Sequence, residues 1–113
     1  MKAIEVTALG GPEVLKEVDL PEPSAAPGQV IVKVEAAGVN YADVMMRRGL
    51  YVGGPAPRFV PGLEVAGTIA EVGEGVESLS VGQPVMAMLP LGGYAEFAKA
   101  PASNVIPLPP GLD

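Results

Sequence analysis

The side chains that most often carry enzyme chemistry are scarce in this sequence, which has no Cys and no His. That removes the thiolate nucleophile, any disulfide framework, the common zinc ligands and the usual general base. The polar groups left at positions worth weighing are few. Glu64 enters an otherwise apolar run, Leu63 to Val72. A carboxylate taken out of water needs a partner, so an ion pair with Arg47, Arg48 or Arg58 is expected for it. Asn40 and Asp43 stand at the spacing of a helix N-cap and its first turn. Asn40 can equally present its carboxamide to a cleft, and both roles can hold at once. Tyr51 is either a packed loop tyrosine or a phenolic donor. Met45, Met46, Met86 and Met88 are either core or the lining of a flat apolar pocket.

A chain dense in turn residues must position these groups. Fifteen Gly and 13 Pro, with no collagen-like period, point to many short strands joined by tight turns. Ile4, Val6 and Ala8 alternate with Glu5 and Thr7, the period of a half-buried strand. Gly10-Gly11-Pro12 breaks it, and Val14 to Leu20 reads as its return. Pro21 to Pro27 reads as a surface connection, because each proline removes a ladder donor. Val30, Val32, Val34 and Ala36 share one face of the clearest strand, with Gln29, Lys33 and Glu35 largely opposite. Asn40 to Arg48 is the one helical segment, and Arg47-Arg48-Gly49 suits its C-terminus. Residues 53–61 read as loop and Leu63 to Val72 as a strand apolar on both faces. Short strands are expected over 84–89, 94–98 and 104–108, and a linker over 107–111. The expected fold is mainly β: a partly open barrel with one short helix near residues 40–48.

Composition excludes several function classes. Seven basic residues against 13 acidic ones leave a net charge of −6 and no basic stripe, so no nucleic-acid partner is expected. No run approaches the roughly 20 apolar residues of a spanning helix, so no membrane partner is expected. Met1-Lys2-Ala3 opens no apolar signal segment, which makes a cytoplasmic location the expectation. At 113 residues there is room for one domain. Gly73-Glu74-Gly75 begins like a dinucleotide fingerprint, but Ser78 stands where its third glycine would and no helical pattern follows.

Four motifs occur in a fixed order: Pro61-Gly62-Leu63-Glu64-Val65-Ala66-Gly67, Val72-Gly73-Glu74-Gly75-Val76, Val81-Gly82-Gln83-Pro84-Val85 and Gly92-Gly93-Tyr94-Ala95-Glu96. Together they resemble the medium-chain dehydrogenase/reductase superfamily over essentially the whole chain. Gln83-Pro84 departs from the aspartate and basic residue usual there. Zinc-dependent members place a cysteine near the position of Asn40 and a histidine at that of Leu63. An amide is a poor zinc ligand and leucine is none. The chain therefore resembles the zinc-free quinone oxidoreductase branch, whose pattern Asn40, Asp43, Arg47, Gly49 and Tyr51 match. Met45 stands where relatives often carry a further tyrosine.

The resemblance implies a GroES-like catalytic domain over residues 1–113, ending before a Rossmann nucleotide-binding domain. It implies hydride transfer from NADPH to a quinone or an α,β-unsaturated carbonyl. Negative charge then grows on the acceptor oxygen and must be met by hydrogen-bond donors and a proton. On this pattern Asn40 and Tyr51 are the candidate catalytic donors, and Asn40, Tyr41, Asp43 and Tyr51 line the substrate. Glu64 and Arg47 are structural, and the main NADPH site lies outside this chain. Open strand edges make self-association a further expectation. Two other readings stand beside this one: a free-standing GroES-like interaction module, and a piece with no activity of its own. Elemental analysis of the purified protein is expected to find zinc well below one equivalent. Stoichiometric, chelator-resistant zinc would overturn the zinc-free branch.

Overall fold

A computed structural model describes residues 1–112. Among them, seven strands and one α-helix follow in the order β1 (Lys2–Val6), β2 (Leu15–Asp19), β3 (Gln29–Ala37), α1 (Tyr41–Arg48), β4 (Glu64–Val72), β5 (Pro84–Met88), β6 (Phe97–Pro101) and β7 (Val105–Pro107). Short 3₁₀ turns at Pro12–Val14 and Ala102–Asn104 lead into β2 and β7. β1 and β2 form a two-stranded antiparallel ribbon. The other five make one sheet in the order β6-β3-β4-β5-β7, with every pairing antiparallel. The sheet curls into a half-barrel, as the strand and turn pattern predicts.

Alternating side chains fill the concave side. Val30 and Val32 of β3, Val65 and Ile69 of β4, and Val85 and Ala87 of β5 meet Ala98, Ala100 and Val105 in one buried cluster. Each buried Val or Ile side chain contributes on the order of 1.5–3 kcal/mol, so this cluster carries most of the stability. A smaller cluster of Val6, Met46 and Phe59 lies between β1 and α1. Bridges at Ala3–Ala95 and Val6–Phe59 tie the ribbon to the loops of the larger sheet.

Three expectations shift. β4 is not buried on both faces: Val65, Gly67 and Ile69 are buried, Ala66 and Thr68 only half-buried, and Ala70 exposed. The strand expected over 94–98 starts later, at Phe97, because the backbone of Tyr94 bonds to Pro61 and Ile4 instead of to a ladder neighbour. The regular face of β3 also ends early. Register shifts fall between Ile31 and Val32 and between Val34 and Ala36, and Ala36 and Ala37 come out exposed.

The second bulge explains why position 67 is glycine. There β3 swings so close that a Cβ on Gly67 would collide with the Lys33 carbonyl oxygen. Because that neighbour is backbone, it can retreat only by breaking the ladder. Gly67→Ala is expected to cost about 2 to 3 kcal/mol, the upper range for overpacking, read from the denaturant midpoint. A loss below about 1 kcal/mol would mean that the two strands separate easily at the bulge.

Candidate functional site

β3 delivers the chain, through Gly38, to Asn40, which takes the N-cap of α1 in extended conformation (φ −115°, ψ 155°). α1 runs for eight residues, has basic Arg47 and Arg48 in its last turn, and stops at Gly49 in the left-handed region. Its inward face carries Asp43, Met46 and Arg47, the i, i+3, i+4 set that shares one side of a helix. Asp43 Oδ2 accepts the Asn40 backbone N–H at 2.9 Å, one half of a capping box.

The same oxygen accepts a second, shorter bond from the Tyr94 hydroxyl at 2.6 Å. Tyr94 reaches it from a loop that is itself pinned. Gly92 N–H donates to Val60 O, Gly93 N–H to Gly62 O and Tyr94 N–H to Pro61 O, at 2.9, 3.1 and 2.9 Å. Gly62 and Gly93 touch backbone to backbone, so a Cβ on Gly62 would lie 2.7 Å from Gly93 Cα. Burial first, then the hydrogen bond to Asp43 and its charge, hold the Tyr94 phenol well above its ordinary pKa. It therefore acts as a donor throughout the neutral range.

Asp43 is 5% exposed and Arg47 8%. Asp43 Oδ1 and Arg47 Nε are the two buried side-chain atoms without a hydrogen-bond partner among the described residues. They lie one helical turn apart, an acceptor and a donor on the inward face of α1.

The sequence-predicted residues separate into two groups. Asn40, half-buried, and Asp43 come together at the start of α1. Tyr41 and Tyr51 stand exposed, at 73% and 45%, and neither hydroxyl bonds to another described residue. The ion pair expected between Glu64 and Arg47, Arg48 or Arg58 does not form. Arg58 pairs with Glu5 at 2.9 Å, and the Arg47 side chain is buried beneath α1. Glu64 is only half-buried and lies over Gly38, where solvent can reach its carboxylate and no cation is needed. Met46 is core, whereas Met86 and Met88 are exposed. Those two line a groove of about 430 Å³ with Ala36, Ala66 and Ile106, and Glu64 is its one charged lining residue. That volume lies in the range of small-molecule sites. Tyr94 was visible in the sequence only as part of a motif, because its partner is 51 residues away.

Residues 26–110 match the alcohol dehydrogenase GroES-like domain. Over 115 aligned positions the chain is 44% identical to the quinone oxidoreductase of Rattus norvegicus, covering 100% of this chain and 35% of that protein. It thus spans about a third of the length of the curated relatives it matches. It superposes on the human synaptic vesicle membrane protein VAT-1 homolog-like protein with a TM-score of 0.98 at 28% identity, covering 100% of this chain and 37% of that one. On the quinone oxidoreductase of Thermus thermophilus, solved also as its NADPH complex, the TM-score is 0.84 at 42% identity, covering 100% and 34%.

The shifted phenol sets a pH dependence. Folding keeps the Tyr94 proton on, so above the ordinary tyrosine pKa of about 10 the unfolded chain releases a proton that the folded chain retains. This contribution to stability is complete below about pH 10 and is lost as pH rises further. Urea midpoints measured from about pH 8 to about pH 11 are expected to fall at the alkaline end, and less steeply in Tyr94→Phe. Equal slopes in the two proteins would contradict this assignment.

Proposed function

The chain belongs to the alcohol dehydrogenase GroES-like domain family of the medium-chain dehydrogenase/reductase superfamily, and from that we propose that it is the substrate-side domain of an NADPH-dependent, zinc-free reductase of quinones or α,β-unsaturated carbonyls. The observation that carries this reading is the 44% identity to a quinone oxidoreductase along the whole chain. The residue chemistry supports it. With Asn40 and Leu63 at the two positions that hold zinc ligands in metal-dependent members, developing negative charge must be met by hydrogen-bond donors. The Asn40 carboxamide at the strand-to-helix junction and the exposed Tyr51 phenol fill that role, with Tyr41 and Asp43 shaping the substrate side. The acceptor takes a hydride at carbon and a proton at oxygen.

NADPH supplies the hydride, and the described residues do not fit its pyrophosphate. α1 is the one α-helix among them, and the carboxylate of Asp43 already accepts a backbone N–H at its start. An anion there would meet like charge. The Gly73-Glu74-Gly75 turn leaves β4 for β5 and leads into no helix. In this reading the cofactor is held by a nucleotide-binding domain outside these residues, beyond the proline-rich stretch 107–111. The exposed apolar groove along β4 and β5 supports a face that further polypeptide covers.

The isolated chain is expected to show no saturable NADPH binding when cofactor fluorescence is followed, whereas the full-length protein binds it and reduces quinones. In that protein Tyr51→Phe should lower kcat on the order of 10²-fold, as loss of one oxyanion donor does, with a smaller change in acceptor binding. Asn40→Ala should lower both rate and stability, the latter by roughly 1 kcal/mol through the lost cap. Unchanged kinetics in both variants would return Asn40 to capping and Tyr51 to the surface.

A further inference from the structure

Asn40 sits on a connection with few restraints. Between β3 and α1, Gly38 N–H bonds to Glu64 O at 3.1 Å, Val39 is 77% exposed, and the Asn40 N–H has a single partner, Asp43 Oδ2. Where the Asn40 side chain points therefore depends on where the Asp43 carboxylate is held. α1 supplies one constraint on that carboxylate and Tyr94 the other. Tyr94 is fixed by its own backbone on both sides, donating from N–H to Pro61 O and accepting from Ile4 N–H at 2.8 Å. The close packing of Gly62 on Gly93 removes slack from the loop that carries it. At 2.6 Å its O–H···O contact with the carboxylate lies in the range of charge-assisted hydrogen bonds, the strong class.

We propose that Tyr94 is a positioning residue of the site: its hydroxyl fixes the Asp43 carboxylate, the carboxylate fixes the Asn40 backbone, and the Asn40 carboxamide is thereby aimed at the acceptor oxygen. This rests on the reductase reading for the role of Asn40, but the clamp itself is a property of this chain. Tyr94 touches no reacting atom. Its effect is on orientation, where small misplacements of a donor cost rate more than they cost binding.

Tyr94→Phe keeps the ring and removes one oxygen, so packing is preserved. In the full-length protein kcat for quinone reduction is expected to fall about ten-fold while the acceptor KM changes less than about two-fold. Ile69→Val, a conservative trim in the larger core cluster away from the site, should leave kcat within about two-fold. An equal fall in both variants, or none in Tyr94→Phe, overturns the proposal. Amide exchange of the 113-residue chain supplies a readout free of turnover. The Asn40 N–H should exchange faster in Tyr94→Phe, while the Ile69 N–H, bonded to Gln83 O at 3.0 Å, keeps its protection. Unchanged Asn40 exchange also overturns it. A full-length parent that reduces no quinone defeats the reductase reading alone, and the exchange measurement then decides the clamp.

Discussion

β3 and β4 lie side by side over nine residues each, and the rest of the larger sheet is built outward from them. β6 joins the free side of β3, β5 the free side of β4, and β7 the free side of β5. The inner residues of this pair, Val30, Val32, Val65 and Ile69, also begin the main core cluster. The pairing is not a uniform ladder. It carries bulges at two places, which bend and twist the strands, and a glycine at position 67, where the Lys33 carbonyl oxygen leaves no room for a Cβ. Curvature, core and site all follow from this one antiparallel contact.

The site lies at one end of that contact. The register brings Ala37 opposite Val65, so the exit of β3 and the entry of β4 are neighbours. Asn40 leaves from the first and Glu64 stands at the second. Gly38 N–H to Glu64 O, and Leu89 N–H to Leu63 O at 2.8 Å, fasten the crossing. The loops at 60–62 and 92–94 close over the same end, carrying Tyr94 to the start of α1. Groups distant in sequence meet there because three connections leave the sheet at the same end of its strands. This is where a rigid sheet with variable loops tends to place function.

Much of this organisation was legible in the residues, and what was not has a physical reason. Alternation marked β3, the Asn40/Asp43 spacing marked the start of α1, and Gly49 marked its end, because each is a local rule with local partners. The chain between Gly92 and Phe97 was less legible. Residues 94–98 have the look of a strand, yet the backbone of Tyr94 is taken by Pro61 and Ile4, and no local pattern reveals that. Glu64 misled for a related reason. Its apolar neighbours suggested deep burial, but the outer face of β4 is an open groove, and a carboxylate there keeps its water. The family motifs carried the fold further than periodicity alone could, since they mark glycines whose need arises from contacts remote in sequence.

One departure from ordinary packing remains, and it sits beside Asn40. Hydrophobic side chains dominate both core clusters, while Asp43 and Arg47 are the buried polar and charged residues among those described. Taking a carboxylate and a guanidinium out of water is costly, so each needs hydrogen bonds or charge to offset it. The chain keeps them on the one helix that also presents Asn40. Local rules give way where something other than stability sets the sequence, and here they give way at a single helix face. At Asp43 that cost is offset where Oδ2 takes two hydrogen bonds. Burial of Asp43 thus strengthens the bonds that orient the start of α1, since a hydrogen bond to charge gains as water is excluded.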